Sequence, residues 1–382
     1  MIYRTLGNTG LKVSAISLGC EGFVGKSARE TQEFMNFAIA QGINFIDIYS
    51  SNPELRSYLG GAIAPHRNQF VIQAHLCTAW EKGQYLRTRN LEKTKKSFED
   101  LLTRLGTDHL DVGMIHYVDN EQDFHRIFDG EIIHYVQELK AQGRIRHIGL
   151  SSHNPVVARL AAESGIIEVL LFSINPCYDL QPPTTDCEEL WNEKNYRAPL
   201  CNVAPEREQL YELCERNGVA IDVMKCYGGG DLLNIEDSPF GIALTPVQCI
   251  EYALTRPATA AVMLGCKGEE ELGKALAWCH ATREERDYTP ALASAGKFTW
   301  KGHCMYCGHC APCIAGIDIA AVHKYYNLCA TQHELPETVR EHYKLLEHHA
   351  GECTACGRCE RNCPFGVSII ENMKRAAALF GY

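Results

Sequence analysis

The chain has 382 residues, 46% of them hydrophobic and 22% charged, which suffices for one large folded domain with a smaller second one and excludes a disordered or collagen-like chain. Lys and Arg number 37 against 47 Asp and Glu, and a net charge of −10 at pH 7 repels phosphate backbones, so we expect no nucleic-acid partner. Neither an export signal nor an apolar run approaching the roughly 18 residues that span a bilayer is recognisable, so we expect a cytoplasmic protein without membrane contact.

The first three quarters of the chain alternate short apolar runs with segments whose apolar residues recur at helical spacing. Residues 1–14 predict a hairpin around Asn8-Thr9-Gly10 that covers one end of the domain that follows. Eight strand–helix units come next, which predicts an α/β fold, a (β/α)8 TIM barrel. The eight predicted strands are VSAISL, INFIDIY, FVIQAHL, LDVGMIHY, IRHIGLS, VLLFSIN, VAIDVMK and AAVMLG. An open doubly wound sheet is the alternative, but its G-x-G-x-x-G motif does not follow the first strand.

Two segments after the later strands bear on function. Residues 181–202, QPPTTDCEELWNEKNYRAPLCN, form a long insertion that predicts a lid or a substrate loop. The run Tyr227-Gly228-Gly229-Gly230 follows the seventh strand, where a barrel places a phosphate-binding loop, although such a run is as often a flexible turn.

Eight of the 19 cysteines form two tight groups near the C-terminus. An odd number of cysteines without an export signal argues against a disulfide framework and favours metal or redox chemistry. The second group, CTACGRCERNCP, has the spacing of a bacterial ferredoxin run, whereas the first, CMYCGHCAPC, has two residues in every gap. Zinc is the alternative for such pairs. The two runs together favour two 4Fe–4S clusters with Cys313 and Cys363 exchanged between them. The predicted ligands are Cys304, Cys307, Cys310, Cys313, Cys353, Cys356, Cys359 and Cys363.

Five segments in order resemble the aldo/keto reductases over residues 1–285: RTLGNTGLKVSAISLG, GINFIDIYSSNPE, RLGTDHLDVGMIHY, GRIRHIGLSSH and VMKCYGGG. The whole chain resembles the branch of that family with a C-terminal iron–sulfur domain. The resemblance implies a barrel of residues 1–285 and a small helical ferredoxin-like domain of residues 286–382. It also implies an active site at the carboxyl ends of the strands that binds NADP(H) and reduces carbonyls with an Asp, a Tyr, a Lys and a His.

This chain keeps only two of those four residues. Asp47 and His116 stand at the Asp and His positions, but Asn52 replaces the Tyr and His75 replaces the Lys. Three hypotheses follow for the proton donor. Tyr49 acts from two residues beyond Asp47; or His75 or His116 is the acid, because an imidazole titrates near pKa ~6.5; or Asp47, His75 and His116 together bind a metal ion.

The resemblance also implies contacts to NADP(H). The residues concerned are Ser151, Ser152, Asn175, Lys225 and Lys267. Together these features predict an iron–sulfur oxidoreductase that reduces a small carbonyl or related substrate at the barrel mouth. Electrons would pass through 4Fe–4S clusters and come from NADP(H), from an external ferredoxin, or from both. The alternative is a catalytically altered barrel that serves a partner protein as an electron-transfer or redox-sensing subunit.

Overall fold

The computed structural model describes residues 1–181, 183–185, 200–236, 238–294, 298–299, 302, 304, 306–330 and 337–382. Most of the predicted insertion, residues 182 and 186–199, therefore lies outside the described residues. Within the described part, no helix is both long and apolar enough to cross a membrane.

Eight parallel strands close into a barrel, which confirms the predicted TIM barrel and excludes the open doubly wound sheet. The barrel strands are β3 (Ile16–Gly19), β4 (Phe45–Ile48), β5 (Val71–Leu76), β8 (Leu110–Ile115), β9 (Ile145–Ser152), β10 (Val169–Ser173), β12 (Ala220–Met224) and β13 (Thr259–Leu264). Each strand pairs with the next one in this order, and β13 pairs with β3. All eight carboxyl ends therefore open at one face, the barrel mouth, where barrels of this kind place their active sites.

Helices connect these strands and pack on the outside of the barrel. They are α1 (Ala28–Ala40), α2 (Pro53–Ile63), α3 (Leu91–Leu105), α4 (Glu121–Phe128), α5 (Glu131–Ala141), α6 (Pro155–Glu163), α7 (Pro176–Asp179), α8 (Pro205–Asn217), α9 (Pro246–Leu254) and α10 (Glu269–Leu276). Many begin at a side chain that accepts a hydrogen bond from a main-chain N–H of the first turn, such as Ser27, Asn90 and Thr245. The sequence therefore marks the helix starts locally.

The N-terminal hairpin closes the end of the barrel opposite the mouth, as predicted. Strands β1 (Tyr3–Thr5) and β2 (Lys12–Ser14) pair in antiparallel fashion. Leu6 and Val13 are fully buried and belong to an apolar cluster with interior residues of the barrel such as Phe45, Val112 and Ala220. This cluster forms a dry floor below the mouth.

A second hairpin follows β5 and was not predicted from the sequence. Strands β6 (Thr78–Glu81) and β7 (Gln84–Arg87) pair so that Trp80 lies opposite Tyr85. The two turn residues, Lys82 and Gly83, both have positive φ (52° and 77°), the conformation that two-residue hairpin loops favour. The hairpin returns the chain to the rim of the barrel, next to the carboxyl end of β8.

The C-terminal segment is mainly helical and packs against the barrel. Its elements are α11 (Arg283–Arg286), α12 (Thr289–Ser294), α13 (Ile319–Ala330), α14 (Glu337–Lys344), α15 (Arg358–Arg361) and α16 (Ile369–Phe380), and the two-residue strand β14 (Phe298–Thr299) pairs with β11 (Leu200–Cys201). An ion pair of 3.0 Å between Lys324 and Glu215 joins α13 to α8. The predicted domain boundary at residue 285 falls within α11 and remains a prediction.

Candidate active site

Three of the predicted catalytic residues meet at the barrel mouth. Asp47 lies on β4, His75 on β5, and His116 directly follows β8. His75 Nε2 lies 2.9 Å from Asp47 Oδ1, and His75 Nδ1 lies 2.6 Å from His116 Nδ1. All three side chains are buried. Neighbouring strands bring them together because alternate residues of a parallel strand face the interior of the barrel.

Tyr85 completes this arrangement and was missed in the sequence analysis. Its hydroxyl forms a short hydrogen bond with His116 Nε2. Tyr85 is 40% exposed, so it is the solvent-facing end of a hydrogen-bonded chain that runs through His116 and His75 to Asp47. The only local signal for it is a Lys-Gly turn between two short runs, TAWE and QYLR, in a segment where the family resemblance places no catalytic residue.

The protonation of the chain follows from its burial. Burial, and then the neighbouring His75, lower the pKa of His116 well below its usual value, so this imidazole is neutral near pH 7. Burial raises the pKa of Tyr85 to about 12, against the opposing effect of Arg87 and Arg89, so its hydroxyl carries a proton. The site therefore presents a protonated phenol backed by a neutral imidazole.

The metal-site hypothesis for Asp47, His75 and His116 is not supported. Both ring nitrogens of His75 are occupied by hydrogen bonds to the other two residues, so none is left to bind a cation. Across the described ranges, no group of three or more His, Cys, Asp or Glu side chains, the C-terminal cysteines included, is arranged to hold a single metal ion. A hydrogen-bonded relay is the arrangement that forms instead.

Tyr49 and Asn52 have other roles in the structure. The Tyr49 ring stacks at 6.2 Å from His116, but its hydroxyl donates a short hydrogen bond to Glu21. Burial and this hydrogen bond raise the pKa of Tyr49 well above its usual value. Because the Tyr49 proton is already donated to Glu21, Tyr49 is disfavoured as the donor to a substrate. Asn52 is the N-cap of α2: its Oδ1 accepts from the main-chain N–H groups of Glu54 and Leu55. Capping explains why a short amide side chain stands at this position.

Arg89 holds the main chain of the site in place. Its guanidinium donates to the carbonyl oxygens of His116 and Tyr117 at 2.9 and 2.7 Å and pairs with Asp123 at 2.6 Å. Tyr117 has a positive φ of 50°, a conformation that such bonds help to maintain in a residue other than glycine. Arg89 therefore helps to hold the main chain that sets the orientation of the His116 ring.

The two serines predicted to contact NADP(H) are buried and bonded within the protein. Ser151 Oγ accepts from the main-chain N–H of Tyr117 at 2.8 Å. Ser152 Oγ donates to Asp119 Oδ1 at 2.9 Å and accepts from the main-chain N–H of Asn154 at 3.1 Å. Ser151 therefore organises the segment after β8, and Ser152 ties that segment to the loop after β9.

Asn175 and the two predicted lysines differ in exposure. Asn175 caps α7, since its Oδ1 accepts from the main-chain N–H groups of Cys177 and Tyr178 and its Nδ2 donates to the carbonyl of Lys225. The Lys225 and Lys267 side chains are exposed on segments that follow β12 and β13. The glycine run after Tyr227 takes positive φ values (62°, 78° and 116°) and forms a turn close to Lys225. Two exposed lysines thus follow the carboxyl ends of β12 and β13, and the Asn175 side chain is engaged within the protein.

The eight cysteines of the two runs surround two hollows in the C-terminal segment. Both hollows are lined mainly by apolar and thiol side chains. Lining the first are Cys304, Cys307, Cys310 and Cys363, and lining the second are Cys313, Cys353, Cys356 and Cys359, while Cys310 lines both. The last cysteine of each run thus lies with the other run, the exchange that the ferredoxin spacing predicts.

Buried aromatic and charged side chains connect the first hollow to the barrel. Tyr306, two residues beyond Cys304, lies with its ring 5.4 Å from the Arg256 guanidinium. Arg256 also stacks over Tyr252 at 4.4 Å, and the Tyr252 hydroxyl donates to Asp179 at 2.8 Å. Asp179 belongs to α7, directly after the carboxyl end of β10. A chain of contacts therefore leads from the half-buried Tyr306, near Cys304, through Arg256 and Tyr252 to the buried Asp179.

The chain is similar to known proteins over its barrel. The model of the Aldo/keto reductase family matches residues 15–242. An uncharacterized oxidoreductase of Bacillus subtilis strain 168, YqkF, is 26% identical over 309 residues, which cover 77% of this chain and 96% of the relative. L-Galactose dehydrogenase of Arabidopsis thaliana is 31% identical over 157 residues, which cover 39% of this chain and 47% of the relative.

Solved structures share the fold. The holo form of aldo-keto reductase AKR11C1 from Bacillus halodurans superposes with a TM-score of 0.57 at 20% identity. The superposition covers 79% of this chain and 99% of that protein.

Proposed function

Because this chain belongs to the aldo/keto reductase family and is therefore an oxidoreductase, we propose that it interconverts a small carbonyl- and hydroxyl-bearing substrate at the barrel mouth, with electrons passed through 4Fe–4S clusters held by its C-terminal cysteines. The observation that carries the proposal is the hydrogen-bonded chain from Tyr85 through His116 and His75 to Asp47. Interconversion of a carbonyl and a hydroxyl moves two electrons and two protons, one at oxygen and one at carbon. Such a chain exchanges the proton at oxygen, and the proton at carbon exchanges with water at the open mouth.

Tyr85 takes the role of the tyrosine that this chain lacks at position 52. It is the exposed member of the chain, so a substrate oxygen at the mouth meets its hydroxyl first. The Tyr85 hydroxyl is hydrogen-bonded to the neutral imidazole of His116, and His75 links His116 to the carboxyl group of Asp47. Tyr85 thus exchanges the proton, and the other three residues carry or compensate the charge that this exchange creates.

The donor sets of the two hollows fit iron–sulfur clusters. Four thiols line the first hollow and five line the second, because Cys310 lines both. With Cys310 assigned to the first hollow, each hollow has four, in the exchanged pairing that two ferredoxin-type clusters require. The ligands of one cluster would be Cys304, Cys307, Cys310 and Cys363, and those of the other Cys313, Cys353, Cys356 and Cys359. When bound, such clusters supply one-electron transfer. The buried contacts of Tyr306, Arg256 and Tyr252 with Asp179 support passage between the hollow and the barrel.

The predicted nicotinamide contacts do not fit this structure. Ser152 and Asn175, which were predicted to contact NADP(H), have their side-chain polar groups bonded to the protein's own loops. Lys225 and Lys267 are exposed and suit a phosphate, but phosphate contacts alone do not orient a nicotinamide ring. The proposed reaction therefore uses no step through NADP(H), and the experiment includes NADPH to measure whether it binds.

The experiment uses protein purified without oxygen. The clusters are reduced with dithionite, excess reductant is removed, and a panel of small aldehydes and ketones is added while the visible absorbance of the clusters is followed. Oxidised protein is treated in the same way with the matching alcohols, and with NADPH. The Tyr85→Phe variant keeps the ring and loses the proton-exchanging hydroxyl. Its control is Tyr135→Phe, because Tyr135 on the outer helix α5 is also half-buried, and burial likewise raises its pKa to about 12.

We expect at least one compound to change the cluster absorbance. The rate should fall by about 10²–10⁴-fold in Tyr85→Phe, the usual contribution of a general acid or base, and stay unchanged in Tyr135→Phe. A panel without any response, or a Tyr85→Phe rate equal to that of the unaltered protein, contradicts the proposal. Bleaching by NADPH alone would show that nicotinamide binds despite the engaged side chains.

A further inference from the structure

A layer of polar side chains lies inside the barrel, between the apolar floor and the mouth. Gln73 on β5 donates from its Nε2 to Asp47 Oδ1 at 3.0 Å and to Asp222 Oδ2 at 2.6 Å. Gln73 and Asp222 are fully buried, and Asp47 is 4% exposed. Two carboxyl groups from opposite parts of the barrel thus share one amide group below the proton-exchanging chain.

The two carboxyl groups cannot both be ionised in this interior. Burial, and then the nearby charge of Asp47, raise the pKa of Asp222 well above its usual value, so Asp222 is neutral. Asp47 Oδ1 accepts hydrogen bonds from both Gln73 and His75, whereas Asp222 accepts one at Oδ2 and its Oδ1 has no hydrogen-bond partner among the described residues, so a negative charge is better stabilised on Asp47. The single negative charge of the layer therefore lies on Asp47, directly below His75.

The position of that charge sets the direction of every hydrogen bond above it. An amide nitrogen only donates, so Gln73 presents its NH₂ group, and not its oxygen, to Asp47. His75 then donates from Nε2 to the carboxylate, which leaves its Nδ1 as an acceptor. His116 must donate from Nδ1 to His75, and its Nε2 accepts the Tyr85 hydroxyl proton. All donors point from Tyr85 toward Asp47.

We propose that Gln73 and Asp222 are positioning residues that fix this direction, so that the site takes a proton from a hydroxyl-bearing substrate. The inference rests on the proposed function and names its substrate class. In the step, the substrate hydroxyl proton passes to Tyr85 Oη as the Tyr85 proton moves to His116 Nε2 and the His116 Nδ1 proton moves to His75 Nδ1. His75 becomes a cation held by Asp47, the substrate becomes an alkoxide, and no electron moves.

The direction of the chain is measurable without any substrate. The holoprotein is labelled with ¹⁵N-histidine, and long-range ¹H–¹⁵N correlation spectra identify which nitrogen of each ring carries the proton. Signals are assigned with His75→Gln and His116→Gln. We expect the proton of His75 on Nε2 and that of His116 on Nδ1. A proton on His116 Nε2 in the unaltered protein overturns the inference, whatever the variants do.

Two variants test the positioning role. Gln73→Leu removes the amide bridge, and we expect each ring to become a mixture of its two tautomers. Asp222→Asn keeps a neutral side chain of the same shape, and we expect it to retain the tautomers of the unaltered protein. Unchanged tautomers in a folded Gln73→Leu variant overturn the positioning role. If Gln73→Leu does not fold, altered tautomers in a folded Asp222→Asn variant would overturn the positioning role instead.

Failure of the inference and failure of the proposed function give different results. Tautomers as expected with no response to any carbonyl or alcohol would leave the direction of the chain correct and the proposed function wrong. A response that depends on Tyr85, combined with a proton on His116 Nε2, would leave the function correct and the inferred direction wrong.

Discussion

The exchange of cysteines between the two runs predicts how paired substitutions affect iron content. Cys313 and Cys356 belong to different runs but line the same hollow, whereas Cys307 and Cys313 belong to the same run but line different hollows. Replacing either pair with alanine removes two thiols. The two double variants therefore differ only in which hollows lose them.

The structure gives opposite outcomes for the two pairs. Cys313→Ala with Cys356→Ala leaves all four thiols of the first hollow in place, so one complete cluster should remain and the iron content should fall from about eight to about four atoms per chain. Cys307→Ala with Cys313→Ala leaves three thiols in each proposed ligand set, so no cluster with its four proposed cysteine ligands should remain.

The assay is iron and acid-labile sulfide per chain after anaerobic purification, together with the electron paramagnetic resonance spectrum of the dithionite-reduced protein. Melting temperatures of the two double variants check that both are folded. If each run held its own cluster, the results would be reversed: Cys307→Ala with Cys313→Ala would keep one complete cluster. That reversal, or an unaltered protein without iron, would refute the reasoning from the two hollows.

Two further predictions concern stability. Burial, and then the charge of Glu208, raise the pKa of Glu212 on α8 to about 8, so folding loses stability as the pH rises from about 4.5 to 8 and the unfolded chain ionises first. At pH 8 the free energy of unfolding of Glu212→Gln should therefore exceed that of the unaltered protein by on the order of 3 kcal/mol, and at pH 4 the two should be equal. Denaturant titrations at both pH values measure this difference. In α2, a Cβ on Gly60 would lie 2.2 Å from a main-chain oxygen of Arg104, whereas one on Gly61 meets nothing within 4 Å. Gly60→Ala should destabilise by about 2 kcal/mol and Gly61→Ala should stabilise by about 0.5–1 kcal/mol, and equal melting temperatures would contradict this difference.

The barrel was predictable because its signals are local. Each strand is a short apolar run, and caps such as Ser27 and Asn90 mark where the following helices begin. The meeting of Asp47, His75 and His116 was predictable for the same reason, since residues at the carboxyl ends of adjacent parallel strands share one mouth. The segment order alone also indicated the family that the match over residues 15–242 establishes.

The roles of these side chains depended on contacts between distant parts of the chain. Nothing near Asp47 indicates that Gln73 links it to Asp222, 149 residues beyond Gln73, because that contact exists only across the closed barrel. Asn52 was compared with a catalytic tyrosine, but its side chain caps a helix.

The sequence by itself determined the barrel, the two cysteine runs and the residues at the strand ends, because strand periodicity, helix caps and ligand spacing act over a few neighbouring residues. Only the tertiary structure decided that Tyr85 reaches His116, that Gln73 links Asp47 to Asp222, and that Cys310 lines both hollows. Hydrogen-bond partners and ligand sets depend on distances in space, and those distances arise only when the hairpin, the barrel and the C-terminal helices pack together.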